Sequence, residues 1–410
     1  MARVASEETS GRFFNKVKKI RIYRNQSPRR VKCMIKFKII PYDVVFFGSG
    51  RPFNVGDVVY SIFPYPHTLA GAICAKIHAH TKIDTSKILK NVYGPFIEKG
   101  GKLYFPKPSS ILGERKKEEV ESVFQAHPYE LNTKLFRKEN TNADSNIKTF
   151  PLYMGKEDIG TFPAFISIEG LRKWLKGEKI EIHEILQYKE IFTKEERVGI
   201  KMDSTVNAVG GEENALYRIE FMRLKEDVSL VVWIEFDFEA EEIRKTGFSD
   251  ENKLMEIFNQ PPRALKIGGE MKNAFYELGR ENFLEFLREN LGVSQMVKVR
   301  AGDIVKVLFL TPGVFPNFKF YMEGFEMFSM VLEKYTIVGK YSPKLKIRKT
   351  VRAFPSGTVM WFEAKENMLL MNPTFIVPEN GYCSFKIPSG EQDFIGSNLI
   401  LIGKEEVKNV

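Results

Sequence analysis

The chain has 410 residues, 43% of them hydrophobic and 28% charged, a composition that folds and a length that accommodates two domains of ordinary size. Its long apolar runs, such as Leu230 to Ile234, stop far short of the ~20 residues that a membrane-spanning helix needs, which excludes a helical membrane role. Formal charge is +10, yet residues 1–33 carry ten Lys/Arg against Glu7 and Glu8 and so account for +8 of it. The remaining body is nearly neutral and can hold a polyanion only through local patterning. The basic tail lacks the apolar core of about 7–15 residues that a secretory signal requires. Cys33, Cys74 and Cys383 are odd in number and far apart, which points to a reducing cytoplasm and against a disulfide framework.

In chain order, Ile35 to Ile40 alternates apolar and basic residues with period two and predicts a half-buried strand. A turn-rich loop, Phe46-Phe47-Gly48-Ser49-Gly50-Arg51-Pro52-Phe53, follows it. A helix is expected to begin at His67 or Thr68, with Leu69, Ile73 and Ile77 on its buried face. Gly71, Ala72 and Ala75 make that helix slim enough to lie close to another backbone. Residues 114–148 are rich in charge and Asn, show no sustained period, and read as an insertion. Leu216 to Leu224 and Leu230 to Phe238, joined across Lys225-Glu226-Asp227, read as a hairpin. A helix over 250–258 and a strand over 264–267 complete a strand-helix-strand-strand-helix-strand order, that of the split β-α-β ferredoxin-like unit.

A second, looser pass follows: a strand over 304–310, a helix near 325–335, a basic hairpin of 345–354 with 358–363, and a strand over 398–402. The expectation is therefore an α+β protein of two ferredoxin-like (RRM-like) domains with long insertions. Residues 1–33 form a basic tail, 34–275 the first domain with its insertion at about 114–148, and 276–410 the second.

Within the expected basic hairpin, Lys344, Lys346, Arg348, Thr350 and Arg352 occupy alternate positions, so the cations share one face at a spacing of about 7 Å. Such a stripe suits a sugar-phosphate backbone, Arg through its planar fork; equally, it suits an edge strand charged against sheet-to-sheet pairing. Residues 196–218 combine Gly199, Gly210 and Gly211 with Arg197, Lys201, Ser204, Thr205 and Asn207. That mixture of pliable backbone and donors fits a clamp on a phosphate or a splayed base, and also an ordinary long loop. Arg51 either anchors a phosphate or pairs with an acid such as Asp57. His67, at the mouth of the slim helix, is either an RNA contact, an acid-base group or a structurally bonded cap residue. Cys74 and His78 share a helical face, but no second ligand pair accompanies them, so no metal or other cofactor is expected. No triad or two-metal carboxylate cluster stands out.

Five ordered stretches carry a resemblance to a known family. They are residues 46–53, Pro66-His67-Thr68-Leu69-Ala70-Gly71-Ala72, Arg197-Val198-Gly199-Ile200 with Ala215-Leu216-Tyr217-Arg218, Ile267-Gly268-Gly269-Glu270, and Phe354-Pro355-Ser356-Gly357-Thr358. Together they resemble the third subunit of the type III-B CRISPR effector, the Cmr complex, within the RAMP superfamily, from Met34 to the C-terminus. The resemblance implies two ferredoxin-like domains, contact with the large polymerase-like subunit and other RAMP subunits, and recognition of the 5′ tag of the guide RNA (crRNA). It implies RNA contact at Arg51, His67, Thr68, Arg197, Lys201, Arg218 and Lys272, to which the residue patterns add Thr205, Lys346 and Arg348. No nuclease centre is implied for this subunit. Residues 1–33 lie outside the pattern, and only Gly390 and Gly396 represent the glycine-rich C-terminal loop common in RAMP proteins. The competing expectation is a metal-independent endoribonuclease that processes CRISPR repeat RNA with His67 as its acid or base.

Overall fold

The computed structural model describes residues 21–22, 34–50, 58–85, 88–116, 119–130, 149–152, 159–200, 202–203, 208–209, 216–238, 251–315, 321–342, 347–379, 382–388, 392 and 394–405. It is an α+β molecule dominated by strands. An eight-stranded sheet runs in the spatial order Ile185–Gln187, Ala164–Ser167, Lys102–Pro106, Leu89–Lys99, Val228–Phe236, Met34–Pro41, Lys272–Arg280, Ala264–Ile267. Its four central strands pair antiparallel throughout. Period two sends Ile35, Phe37 and Ile39, with Leu230, Val232 and Ile234, to one face, where helices Pro66–Thr81 and Glu251–Asn259 cover them through Leu69, Ile73, Ile77, Leu254 and Phe258. Every residue of Val228–Phe236 is buried, as expected of a central strand covered on both sides, whose apolar run is therefore continuous.

The opposite face packs on helices Ile168–Lys176 and Phe283–Leu291 and, through them, on a second sheet. Ser167 caps the first of these helices by accepting from Gly170 N–H, Asn282 caps the second, and Gly177 and Gly292 end them in the left-handed region. Phe283 sits between Phe96 (5.4 Å) and Trp233 (4.9 Å). The second sheet runs Phe325–Val331, Val359–Ala364, Ile304–Phe309, Leu399–Glu405, Thr374–Glu379, Tyr382–Phe385. Leu308, Trp361 and Leu401 face the first half of the chain, while Val307, Phe362 and Ile402 point outward under Phe315, Phe325 and Phe385.

Several expectations are corrected by the pairing. Leu216–Leu224 and Val228–Phe236 are consecutive strands but not a hairpin: the former pairs with Phe192–Ile200 and Val58–Tyr60, the latter with the central strands. The segment expected as a helix near 325–335 is the strand Phe325–Val331, and a bulge between Met327 and Ser329 breaks its alternation into spacings that mimic a helix. Ile347–Phe354 pairs with Thr336–Ser342, because the Pro355-Ser356-Gly357 turn carries the chain into the second sheet, where Val359–Ala364 lies. Gly357, at φ +90, leaves room for the Lys107 carbonyl, which a Cβ would approach to 2.4 Å.

The expected insertion begins as a hairpin, Ile111–Lys116 with Glu119–Gln125. The strand Lys272–Arg280 belongs wholly to the first sheet and runs through the boundary expected at 275/276. Among the described residues no helix lies after Leu291. Of the tail, Arg21–Ile22 pairs in parallel with Met368–Leu369.

Candidate nucleic-acid interface

Pro66 opens the long helix at its first position, where its missing N–H costs nothing. Gly71, Ala75 and Ala79, spaced by four, form an exposed row of small residues. With Thr68, Ala72 and the buried Lys76 they make one wall of a groove of about 580 Å³. A Cβ added at Gly71 would meet nothing within 4 Å, so the wall is open there. The facing wall is Phe47-Gly48 and the turn at Gly268-Gly269 with the exposed Met271. Gly268 (φ +67) is required, since a Cβ would stand 2.4 Å from the Phe46 carbonyl, to which Gly269 N–H donates at 2.7 Å. Three of the five sequence motifs therefore meet at one groove. Lys266 also lines it, and Lys76 Nζ donates to the Pro262 carbonyl at 2.8 Å.

Beside the groove, Phe192–Ile200, Leu216–Leu224 and Val58–Tyr60 form a three-stranded sheet whose inner face packs on Val44 and Phe46. Arg197 and Lys272 both lie over the Phe221 ring, at 5.1 and 5.7 Å. The Arg197 fork is occupied: it pairs with Glu195 (2.6 Å) and Asp43 (3.6 Å), and Arg223 pairs with the same two acids at 2.7 and 2.8 Å. Hydrogen bonds from Arg197 and Arg223 hold the Glu195 carboxyl below its usual range, and the Val44 N–H, followed by Arg223, does the same for Asp43. Lys272 pairs with Glu270 at 3.5 Å. These three cations are balanced by three carboxylates, so a phosphate gains contact here by exchanging for an acid.

Arg218 is not part of this cluster. It stands in register with Val198, whereas Arg197 is in register with Ile219, so Arg197 and Arg218 occupy opposite faces of one sheet. Arg51, Lys201, Thr205 and Lys346 lie outside the described residues. Arg348 pairs through its backbone with Tyr341, two positions from the exposed Thr350 and four from the exposed Arg352.

His67 ties the two halves of the chain together. Its Nε2 donates to the Gly339 carbonyl at 3.0 Å, and its ring stacks on Tyr65 (5.7 Å) and meets the edge of Phe394 (5.6 Å). With a carbonyl as acceptor, Nε2 carries the proton and Nδ1 is bare; Nδ1 has no partner among the described residues. Burial brings the imidazole down to about 4, so it is neutral at physiological pH. Tyr65 donates its hydroxyl to the Ile337 carbonyl at 2.7 Å. Gly50 (φ +83) touches Gly339 so closely that a Cβ would lie 2.7 Å from the Gly339 Cα. Helix start, glycine loop and the hairpin 336–354 thus form one joint beside the groove.

Sequence reasoning missed Asp43, Tyr65, Lys76, Phe221, Arg223 and Gly339. Gly339, inside a β-branched run, was the one readable signal, since a strand glycine often marks close backbone approach. Among the described residues no group of three His, Cys, Asp or Glu is placed to hold a metal. Cys74 is partly buried, its thiol pushed up to about 11 by desolvation, and His78 Nδ1 bonds the Ile83 carbonyl at 2.8 Å.

The chain falls in the class of CRISPR-associated proteins. The model of the family described as CRISPR-associated protein (Cas_Cmr3) matches residues 37–405. The chain belongs to that family, the third-subunit family of the type III-B Cmr effector. No curated protein matches it. In a cryo-EM structure of the Type III-B Cmr-beta bound to cognate target RNA and AMPPnP, one chain is similar at 15% identity and TM-score 0.44, over 80% of this chain and 86% of that one. A Csm1–Csm4 cassette in complex with AMPPNP holds a chain similar at 11% identity and TM-score 0.33, over 92% and 99%. A CRISPR protein from Archaeoglobus fulgidus is similar at 9% identity and TM-score 0.27, over 90% and 99%.

Proposed function

We propose that this protein is a non-catalytic RNA-binding and scaffold subunit of a type III-B CRISPR ribonucleoprotein. In this reading it grips the 5′ tag of the guide RNA and docks the large subunit in antiviral RNA-guided silencing. The observation that carries the RNA part is the groove: a helix wall of Gly and Ala, a glycine turn opposite, and Thr68, Lys76 and Lys266 along it. Small residues let a sugar-phosphate backbone approach, while donors and cations hold it. Arg197, Lys272 and Phe221 extend the same wall with two cations over an aromatic ring. Both sheets support the expectation of two ferredoxin-like platforms. Written by order of appearance, each contains four strands in the sequence fourth, first, third, second, although only the first carries the helices of that unit.

The endoribonuclease reading finds no support at His67. That ring donates to a backbone carbonyl and is mostly buried, with its bare nitrogen turned away from solvent, whereas a general acid or base must reach the proton it moves. Fluorescence anisotropy with a labelled guide tests the proposal. Removing the 5′ tag is expected to weaken binding at least tenfold, and equal affinity for tagged and untagged guides refutes tag recognition.

A further inference from the structure

The outer face of the three-stranded sheet has a chemistry unlike the groove side. Val58, Tyr60, Val198, Ile200 and Leu216 are 46–61% exposed and make up five of the nine large hydrophobic residues exposed among the described ones. Register puts them together: Ile200 opposite Leu216, Val198 beside Arg218 and then Val58, and Tyr60 beside Glu220. At its inner end the face runs into a cavity of about 460 Å³, whose lining includes Tyr60, Lys194 and Glu220 from the sheet and Phe63, Phe162 and Tyr188 behind them. Exposed apolar surface of this kind, continuous with an aromatic cavity, is what a protein interface presents before it is covered.

We propose that this face docks another protein subunit of the effector. The partner lays an apolar segment along Val58, Val198, Ile200 and Leu216, seats an aliphatic or aromatic anchor in the cavity, and sets a carboxylate against Arg218. The charge pattern favours protein over RNA. Lys194 is already held by Glu220 at 3.0 Å, and Glu196 is exposed on the same face, so a phosphate would meet repulsion; four of the five exposed apolar side chains are aliphatic, and the one ring, Tyr60, already has Lys194 over it at 5.9 Å. Arg218 stands exposed in the middle row between two valines, and no described carboxylate pairs with it. An arginine in the centre of an apolar patch calls for an acid from across the interface. The inference rests on the scaffold part of the proposed function and adds to it a surface and the chemistry of what covers that surface.

The experiment is co-expression of the tagged full-length chain with the other subunits of its effector and guide RNA, followed by native mass spectrometry of the purified assembly. Two variants are compared with wild type: Ile200→Asp with Leu216→Asp, and Arg218→Glu. The expected result is at least tenfold loss of one protein subunit in both variants, while the isolated Ile200→Asp with Leu216→Asp variant binds tagged guide within twofold of wild type. Full retention of every subunit overturns the proposal, as does a loss of guide affinity with all subunits retained. A wild-type chain that dimerises alone and becomes monomeric in the variants overturns it in favour of self-association. Should the variants fold poorly, a photoreactive phenylalanine at Val198 in the otherwise native chain decides. Crosslinking to a protein subunit supports the proposal, and crosslinking to RNA or to nothing overturns it. Assembly of wild type with no subunit at all overturns the scaffold reading itself, a result distinct from retention in the variants.

Discussion

His67 shows how one residue type serves opposite readings until its neighbours are known. The sequence placed it at the mouth of a helix; its neighbours Tyr65, Phe394 and the Gly339 carbonyl make it a neutral strut. Its depression by burial fixes the sign of a pH effect. Above the unfolded-state value of about 6.5, folded and unfolded chains are both deprotonated at this site and its contribution is fully present. As pH falls toward about 4 the unfolded state takes up a proton that the folded ring refuses, and stability drops by up to ~1.4 kcal/mol per pH unit. Urea unfolding between pH 7 and 4.5 checks this: His67→Gln should flatten that part of the curve relative to wild type, and parallel curves contradict it. Arg197 teaches the complementary lesson. Its charge was legible in the sequence, but its balance by Glu195 and Asp43, one of them more than 150 positions away, was not.

Elements with an unbroken period were readable. The strands at 34–41, 264–267, 304–309 and 399–405 and the helices at 66–81 and 251–259 fall where alternation or four-residue spacing placed them. What failed was partner choice. Leu216–Leu224 and Val228–Phe236 look like a hairpin because their separation is short, yet each finds a better-buried partner elsewhere. The bulge at Met327/Ser329 hid a strand for a local reason, one extra residue in the ladder. The slim helix provides the sharpest test at this scale. Gly71 is helical and its missing Cβ points into the open groove. Gly71→Leu should therefore stabilise the fold by ~1 kcal/mol through helix propensity, read as a raised Tm, while reducing affinity for the tagged guide at least tenfold. A raised Tm with unchanged affinity removes this wall from the RNA site.

For the whole molecule, the two sheets are joined by more than apolar packing. Glu405, at the end of the C-terminal strand, receives Lys306 Nζ at 3.0 Å and His127 Nδ1 at 3.0 Å, and Lys306 also donates to the Trp174 carbonyl in the first half. Glu405→Gln leaves a buried ammonium without its counter-charge and should cost ~3–5 kcal/mol in chemical denaturation. A double variant, Lys306→Met with Glu405→Leu, should lose much less because neither charge remains. Equal losses in the two would show that packing, not the ion pair, dominates there. Such long-range ties, like the joint of Gly50 on Gly339, were invisible in a linear reading because nothing in composition marks which buried charges meet. The family resemblance supplied the motifs, and the fold shows three of them on one groove.

RNA on the glycine-lipped groove and protein on the apolar face of the neighbouring sheet is the proposed division of surfaces. Mass-spectrometric mapping of photoreactive guide RNA crosslinked within the assembled effector tests that division directly. Crosslinks from the 5′ tag are expected at Thr68, Lys76, Lys266 or Met271. Tag crosslinks confined to Val58, Val198, Ile200 and Leu216 would contradict it.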